Sequence, residues 1–239
     1  ILVAGILGGM VWGGIVALLR DKFNANEILV SLMLVYVGIQ LLYYLVFGPW
    51  KDPLGYNFPQ TKTFAAVTQI PRLMQGSRAN VGLFIALAGV AALWVFLFRT
   101  RAGFAQQVGG LAPAAARYAG FSSRRALWTA LLVSGGAAGL AGALEVTGPL
   151  GQLNPYVPMG YGFAAIIVAF VGRLHPVGMV LSAILMSMFY IGGELAQSRL
   201  GLPKSLTGVF QGLLLFTLLA CDTLVAYRIR LLPSQAGGR

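Results

Sequence analysis

Seven apolar runs set the strongest limit on how this chain can fold: 1–19, 27–47, 81–98, 126–147, 160–172, 177–195 and 208–227, parted by charged or proline-rich stretches. Most come close to the roughly 20 residues that a helix needs to cross a hydrocarbon core about 30 Å thick. Inside lipid every backbone N–H and C=O must be paired within the protein, and a helix does this within its own segment. Hydrophobic residues make up 58% of the 239 positions and charged residues only 10%, with a mean hydropathy of +0.80. No ordinary soluble domain has such a composition. The sequence therefore predicts an all-α integral membrane protein, a polytopic helical bundle with about seven crossing segments, one of them short or broken.

The net charge of +11 does not indicate nucleic acid, because the basic residues stand at the ends of apolar runs and not on one face among aromatics. They report sidedness instead. Arg99, Arg101, Arg117, Arg124 and Arg125 crowd into the 99–125 loop with no acidic residue among them, which places that loop in the cytoplasm. Full crossing by every run puts eleven basic residues inside (these five with Arg20, Lys22, Arg173, Arg228, Arg230 and Arg239) and six outside. If 160–172 were re-entrant the bias would weaken, so a full crossing is expected, with the start of the chain outside and its end inside. The single cysteine, Cys221, lies in an apolar run, and His175 has no carboxylate or thiolate at ligand spacing. No disulfide framework, metal site or cofactor is predicted.

Taken in order, the first run carries Gly5, Gly9 and Gly13 at a spacing of four, a bare face for close helix contact in lipid. Arg20, Asp21 and Lys22 read as a polar turn. In the second run Tyr36, Gln40, Tyr43, Tyr44 and Phe47 share one helical face. That stripe reads either as a lining of a translocation path or as an interfacial aromatic belt. Residues 48–80, with Pro49, Pro53, Pro59 and Pro71, are too proline-rich to span and are expected outside. Gly135 and Gly139, with Ala138 and Gly142 offset, give a second small-residue face. Glu145 falls near the outer interface, either as a solvated helix-end carboxylate or as a gate.

Residues 148–159 hold three prolines, and the run of thirteen residues after them reaches only about 20 Å. Such a short helix is expected to wall a pathway, with Asn154, Tyr161 and Arg173 at its ends. In the last run Gln211 lies toward the outer side. Asp222 lies toward the inner side, where a structural pairing and a transport role both remain open.

Within the 99–125 loop, Gly109-Gly110 reads as a break, and Pro113 suits a first helical turn. A short surface helix is predicted from Pro113 through Ala119, stopping at Gly120. Residues Ala114 to Gly120 resemble the E-A-A-x-x-x-G pattern of ATP-binding-cassette (ABC) importer permeases, whose coupling helix docks on an ATPase subunit. Ala114 stands where that pattern has Glu, so an ion pair made by the Glu is not carried over. Three further stretches strengthen the resemblance. NEILVSLMLVYV and GPWKDPLGYNFPQT are similar to the matching region of permeases that import purine nucleosides. Gly160-Tyr161-Gly162-Phe163 leads into the turn Gly172-Arg173-Leu174-His175-Pro176, as is common in that family.

The resemblance implies the permease subunit of a nucleoside or simple-sugar importer, of the branched-chain amino acid and ribose permease superfamily. It implies coupling residues Pro113, Ala115, Ala116, Arg117, Tyr118, Gly120, Arg173 and His175. Candidates on the substrate path, by position, are Tyr36, Gln40, Asn154, Tyr161 and Gln211. Implied partners are an ABC ATPase subunit, a second permease subunit, an extracytoplasmic solute-binding protein and membrane lipid. The implied setting is the bacterial cytoplasmic (inner) membrane, with at least one helix upstream of Ile1. No phosphate-binding loop occurs, so ATP hydrolysis would fall to the partner and the chain itself is no enzyme. An intramembrane serine protease would need Ser134 and His175 within reach, yet one is expected mid-span and the other at a turn. A secondary transporter acting alone would need an intramembrane carboxylate, for which only Asp222 stands.

Overall fold

A computed structural model describes the chain apart from Tyr56, Asn57, Arg72, residues 74–79, Tyr156, Pro158, Met159, Leu202, Lys204 and residues 227–239. The side chains of Thr207, Leu219, Asp222, Thr223, Val225 and Ala226 also lie outside the described residues. The chain divides into two compact units, Ile1–Met159 and Gly160–Arg239. The first holds α1 (Leu2–Phe23), α2 (Glu27–Phe47), α3 (Gly82–Arg99), α4 (Arg101–Leu111), α5 (Pro113–Tyr118) and α6 (Ser123–Glu145). The second holds α7 (Tyr161–Val171), α8 (Pro176–Leu200) and α9 (Ser205–Ala226). Every predicted apolar run is occupied by a helix. Among the described residues five stretches are long and apolar enough to cross a membrane, and α7 and the Gly208–Leu218 part of α9 are shorter apolar helices.

The first unit is built on α1 and α6, whose glycine faces meet each other. The pairing is antiparallel: Gly5 faces Gly139 and Ala143, Gly9 faces Gly135 and Gly139, and Gly13 faces Leu131 and Gly135. A Cβ on Gly9 would fall on the Gly135 carbonyl oxygen and 2.9 Å from the Gly139 Cα, and one on Gly13 would lie 2.5 Å from the Leu131 carbonyl oxygen. The two backbones touch, and van der Waals contact of this kind holds helices together where lipid offers no hydrophobic drive. α2 leans on α1 where Gly38 faces the Trp12 ring, close enough that a Cβ there would be in ordinary contact with it at 3.7 Å. A cavity of about 520 Å³ separates α2 from the α1–α6 pair farther along.

Arg20, Asp21 and Lys22 do not form the predicted turn. α1 continues through them to Phe23 and ends at Asn24, in the left-handed conformation with φ 50°. Two physical terms keep these charges helical. The basic pair Arg20 and Lys22 complements the C-terminal dipole, and the Asp21 carboxylate is taken up by α6. Asn26 then caps α2, its side chain accepting from the Ile28 N–H at 3.0 Å, and Arg20 spans the turn to Glu27 at 3.1 Å.

The predicted break at Gly109-Gly110 is likewise displaced. α4 runs through both glycines and stops at Ala112, the residue that Pro113 pushes out of the helical region. α3 and α4 meet at a sharp corner. The Thr100 hydroxyl donates to the Phe96 carbonyl at 2.6 Å and accepts from the Gly103 N–H at 3.1 Å. A Cβ on Gly103 would lie 2.6 Å from the Leu97 Cα, so the corner admits only glycine there.

At the opposite end of these helices the described parts of the proline-rich stretches hold no long helix and are stitched to each other. The Thr61 N–H donates to the Leu153 carbonyl at 3.0 Å and the Phe64 N–H to the Gly151 carbonyl at 2.9 Å. The Leu153 N–H donates to the Thr61 hydroxyl at 2.9 Å. α6 ends there in a π turn, Val146–Leu150, where the buried Thr147 accepts from the Ile70 N–H at 2.9 Å through its carbonyl.

In the second unit α7 and α8 close on a core of Ala164, Ile167 and Met186, flanked by Val171, Tyr190, Leu214 and Leu215. α7 has eleven residues, about 16 Å of helix, and is the short segment that was predicted. The Ser182 hydroxyl ties α8 to α7 by donating to the Val168 carbonyl at 2.8 Å.

Candidate functional site

The predicted short helix forms as α5, and its local sequence explains both ends. Pro113 starts it, and Gly120, at φ 80°, ends it. The Phe121 N–H reaches back to the Ala116 carbonyl at 2.9 Å and the Gly120 N–H to the Arg117 carbonyl at 3.0 Å. These two bonds make a Schellman termination, with glycine at the left-handed position. Six residues are far too few to be helical alone. The flanking helices therefore fix it.

Two glutamines on α4 supply much of that fixation. The Gln106 amide donates to the Ala126 carbonyl at 2.6 Å and also to the Thr129 hydroxyl, both on α6. The Gln107 amide donates to the Leu97 carbonyl of α3 at 2.9 Å. Phe104 packs edge-on against Phe121 at 6.0 Å, and Ser122 caps α6. On this base Ala116 is the buried residue of α5, 4% exposed, while Pro113, Ala114, Ala115, Arg117, Tyr118 and Gly120 are exposed. Tyr118 is 97% exposed. A helix of small residues thus stands outward on a pinned support, with one basic and one aromatic side chain on it.

Arg173 and His175 belong to the second unit. The turn after α7 repeats the termination seen after α5: the Leu174 N–H donates to the Ala169 carbonyl at 2.9 Å and the Arg173 N–H to the Phe170 carbonyl at 3.0 Å. Here arginine and leucine, at φ 51° and 54°, occupy left-handed positions that glycine would fill without strain. Gly172 and Gly178 pack backbone to backbone, since a Cβ on Gly172 would lie 2.6 Å from the Met179 nitrogen. The His175 Nδ1 accepts from the Val177 N–H at 3.3 Å and so caps α8; Arg173, Leu174 and His175 are exposed.

The path candidates are spread over both units. Tyr36 and Gln40 share one face of α2 and are exposed from the first unit, Tyr36 by 68%. Asn154 is half-buried in the stretch after α6. In the second unit Tyr161 opens α7 and meets the Tyr190 ring edge-on at 5.7 Å. Gln211 is half-buried on α9, and its Nε2 is buried with no hydrogen-bond partner among the described residues. The Asp222 side chain lies outside the described residues.

Several side chains that position α5 were not singled out from sequence: Thr100, Gly103, Gln106, Gln107 and the pair of Asp21 with Arg124. Their signal was present. Asp21 is the one acid between two basic residues, and Gln106-Gln107 is the only adjacent glutamine pair in the basic loop. Polar side chains beside a membrane helix end are candidates for bonding its unpaired carbonyls.

Residues 1–219 match the family described as branched-chain amino acid transport system / permease component. The chain belongs to this permease family. It is similar to the glucose ABC transporter permease protein TsgB13 of Haloferax volcanii, at 32% identity over 98% of the chain and 64% of that protein. It is similar to the guanosine ABC transporter permease protein NupP of Bacillus subtilis, at 30% over 87% of the chain and 60% of that protein. A third relative, the nucleoside ABC transporter permease protein NupB of Lactococcus lactis subsp. cremoris, is 25% identical over 90% of the chain and 61% of its own length. The chain therefore spans less than two thirds of each of these relatives. No solved structure matches it. Family and helices together make this permease an all-α, multi-pass membrane protein.

Proposed function

We propose that the chain is the membrane-spanning permease subunit of an importer that moves a neutral polar solute inward by alternating access, driven by separate ATPase subunits. The observation that carries this reading is α5, a small-residue helix set outward on a base hydrogen-bonded to α3 and α6. A partner cleft can take such a helix with little side-chain entropy lost, and family members similar to this chain are named as ABC transporter permeases. In this reading α5 and the Gly172–His175 turn face the cytoplasm and meet the ATPase. The stitched proline-rich stretches face outward and receive a solute-binding protein, and a second permease completes the path. The setting is the cytoplasmic membrane.

The scarcity of charge within the helices favours a neutral solute. We read it as a purine nucleoside, on the GPWKDPLGYNFPQT stretch and the guanosine and nucleoside relatives. The glucose relative, with the greater identity, supports a simple sugar as the second reading. Tyr36, Gln40, Asn154, Tyr161 and Gln211 are proposed to line the path. The orphaned amide of Gln211 suits a solute hydroxyl or ring nitrogen.

The test is native mass spectrometry of the full-length protein co-expressed with its genomic neighbours, followed by uptake into proteoliposomes with competing guanosine and glucose. Two permease and two ATPase subunits with ATP-dependent uptake are expected, and guanosine competes more strongly than glucose. Stronger competition by glucose transfers the assignment to sugars. Uptake by the chain without ATP refutes the importer reading.

A further inference from the structure

The glycine seam between α1 and α6 brings the two helices close but does not fix how they slide. Its tightest contacts are backbone against backbone, with the Ile6 and Met10 side chains set over Gly136; no directional bond crosses it among the described residues, and its glycines recur every four residues on both helices. A slip of one helical turn in one direction sets Gly13 between Gly135 and Gly139 and Gly9 against Gly139 and Ala143, again small residue on small residue. Packed helices can ratchet by one turn of about 5.4 Å when nothing else pins them.

One group of side chains pins them. The Asp21 carboxylate, on the last turns of α1, takes the Arg124 Nε and Nη2 at 2.7 Å each and the Trp128 indole N–H at 3.2 Å on a single oxygen. The Asp21 side chain is only 12% exposed, while Arg124 is 66% exposed, so the acid is covered by α6 and the guanidinium closes over it from the solvent side. Arg124 and Trp128 lie in the first two turns of α6, directly after the Gly120 to Ser122 turn that leaves α5. Any displacement of α5 reaches α6 at this point.

Resting on the importer reading above, we propose that Asp21 is a positioning residue for coupling: it locks the register of α1 on α6, so that a push delivered to α5 moves both helices as one body. Without the lock, α6 slides on the glycine seam and the push is spent on slippage. The residue touches neither solute nor nucleotide and acts through Arg124 and Trp128.

The experiment uses the full transporter, with its ATPase, partner permease and solute-binding protein, purified as an assembled complex and reconstituted in proteoliposomes. It compares wild type, Asp21→Ala, Asp21→Asn and the exchange Asp21→Arg with Arg124→Asp. The readout is the number of solute molecules moved per ATP hydrolysed, which a loss of folded protein alone does not change. In Asp21→Ala the ATPase rate persists and that ratio falls on the order of tenfold, with partial recovery in the exchange variant. An unchanged ratio in assembled Asp21→Ala and Asp21→Asn overturns the inference and leaves the importer reading standing. Failure of all three variants to assemble also overturns it, since Asp21 then serves assembly. Absence of ATP-dependent uptake in wild type removes the importer reading and this inference with it.

Discussion

Gly9→Ala tests the α1–α6 seam most directly, because Gly8, its neighbour, supplies an internal control. A Cβ at Gly9 would sit on the Gly135 carbonyl oxygen and 2.9 Å from both the Cα and the N of Gly139, whereas ordinary contact begins at 3.4 Å. All three obstacles are backbone on the facing helix, so no side chain can turn away and the helices must part. Overpacking of this kind costs about 1–3 kcal/mol, and the rigid obstacle places it near the upper end. Alanine returns about 1 kcal/mol of helix propensity relative to glycine. The net loss is about 2 kcal/mol, or roughly a 30-fold fall in the folded-to-unfolded ratio. At Gly8 nothing lies within 4 Å, so only the propensity gain applies. The assay is thermal unfolding in mild detergent followed by tryptophan fluorescence, with Trp12 on α1 as a local reporter. Gly9→Ala should melt several degrees below wild type and Gly8→Ala at or above it. Equal melting temperatures for the two variants would refute the seam.

Ala116→Glu, which buries a charge beneath α5, and Gly120→Asp, which forces a side chain onto φ 80°, should each weaken ATPase docking without blocking membrane insertion; undiminished pull-down of the ATPase by both counts against the coupling role. Arg173→Gly relieves a left-handed arginine and should stabilise the protein by about 1 kcal/mol, read as a higher melting temperature; a lower one means that its side chain holds the turn. Gln211→Leu removes a buried amide that has no partner among the described residues and should raise stability by about 1 kcal/mol while lowering uptake, and full uptake excludes Gln211 from the path.

Hydropathy marked where the helices lie because hydrocarbon penalises polar side chains along a span, most of all at its centre. It could not say which helix meets which. Both glycine faces were visible as periodicities, but a periodicity defines a face and carries no information on its partner, so the match of Gly9 with Gly135 appears only in the fold. Charge misled at Arg20, Asp21 and Lys22. A polar triplet between apolar runs reads as a turn unless one knows that α6 offers a cation and an indole N–H to the acid. Gly109-Gly110 misled for a related reason: the propensity cost of two glycines is local, and the Gln106 and Gln107 bonds that hold α4 in place reach α6 and α3. α5 was legible in full because its signals, proline at the start and glycine past the end, lie within eight residues. The turn after α7 was marked by the resemblance, but its left-handed form was not legible, since arginine and leucine give no sign of it.

Where directional bonds occur in the first unit also bears on how it could move. Along the middle of α1 and α6 the contact is mainly glycine on glycine, with Ile6 and Met10 set over Gly136 and no hydrogen bond among the described residues. At the end carrying the basic loop, Asp21 with Arg124 and Trp128, Thr100 with Gly103, and Gln106 and Gln107 with neighbouring carbonyls fix the helices by hydrogen bonds. At the opposite end Thr61, Phe64 and Ile70 bond to the stretch that follows α6. This division follows from the solvent. A polar side chain placed mid-span must be paired at all times, whereas one at a helix end can exchange its partner for water during a movement. Helix ends can therefore be re-bonded between two states, and a smooth glycine seam lets one backbone shift on another without opening a void. In such an arrangement the bonds at the ends, and not the packing in the middle, select the register, so that under the importer reading proposed above Asp21 and Gln106 are the residues to change first, ahead of any apolar residue of the seam.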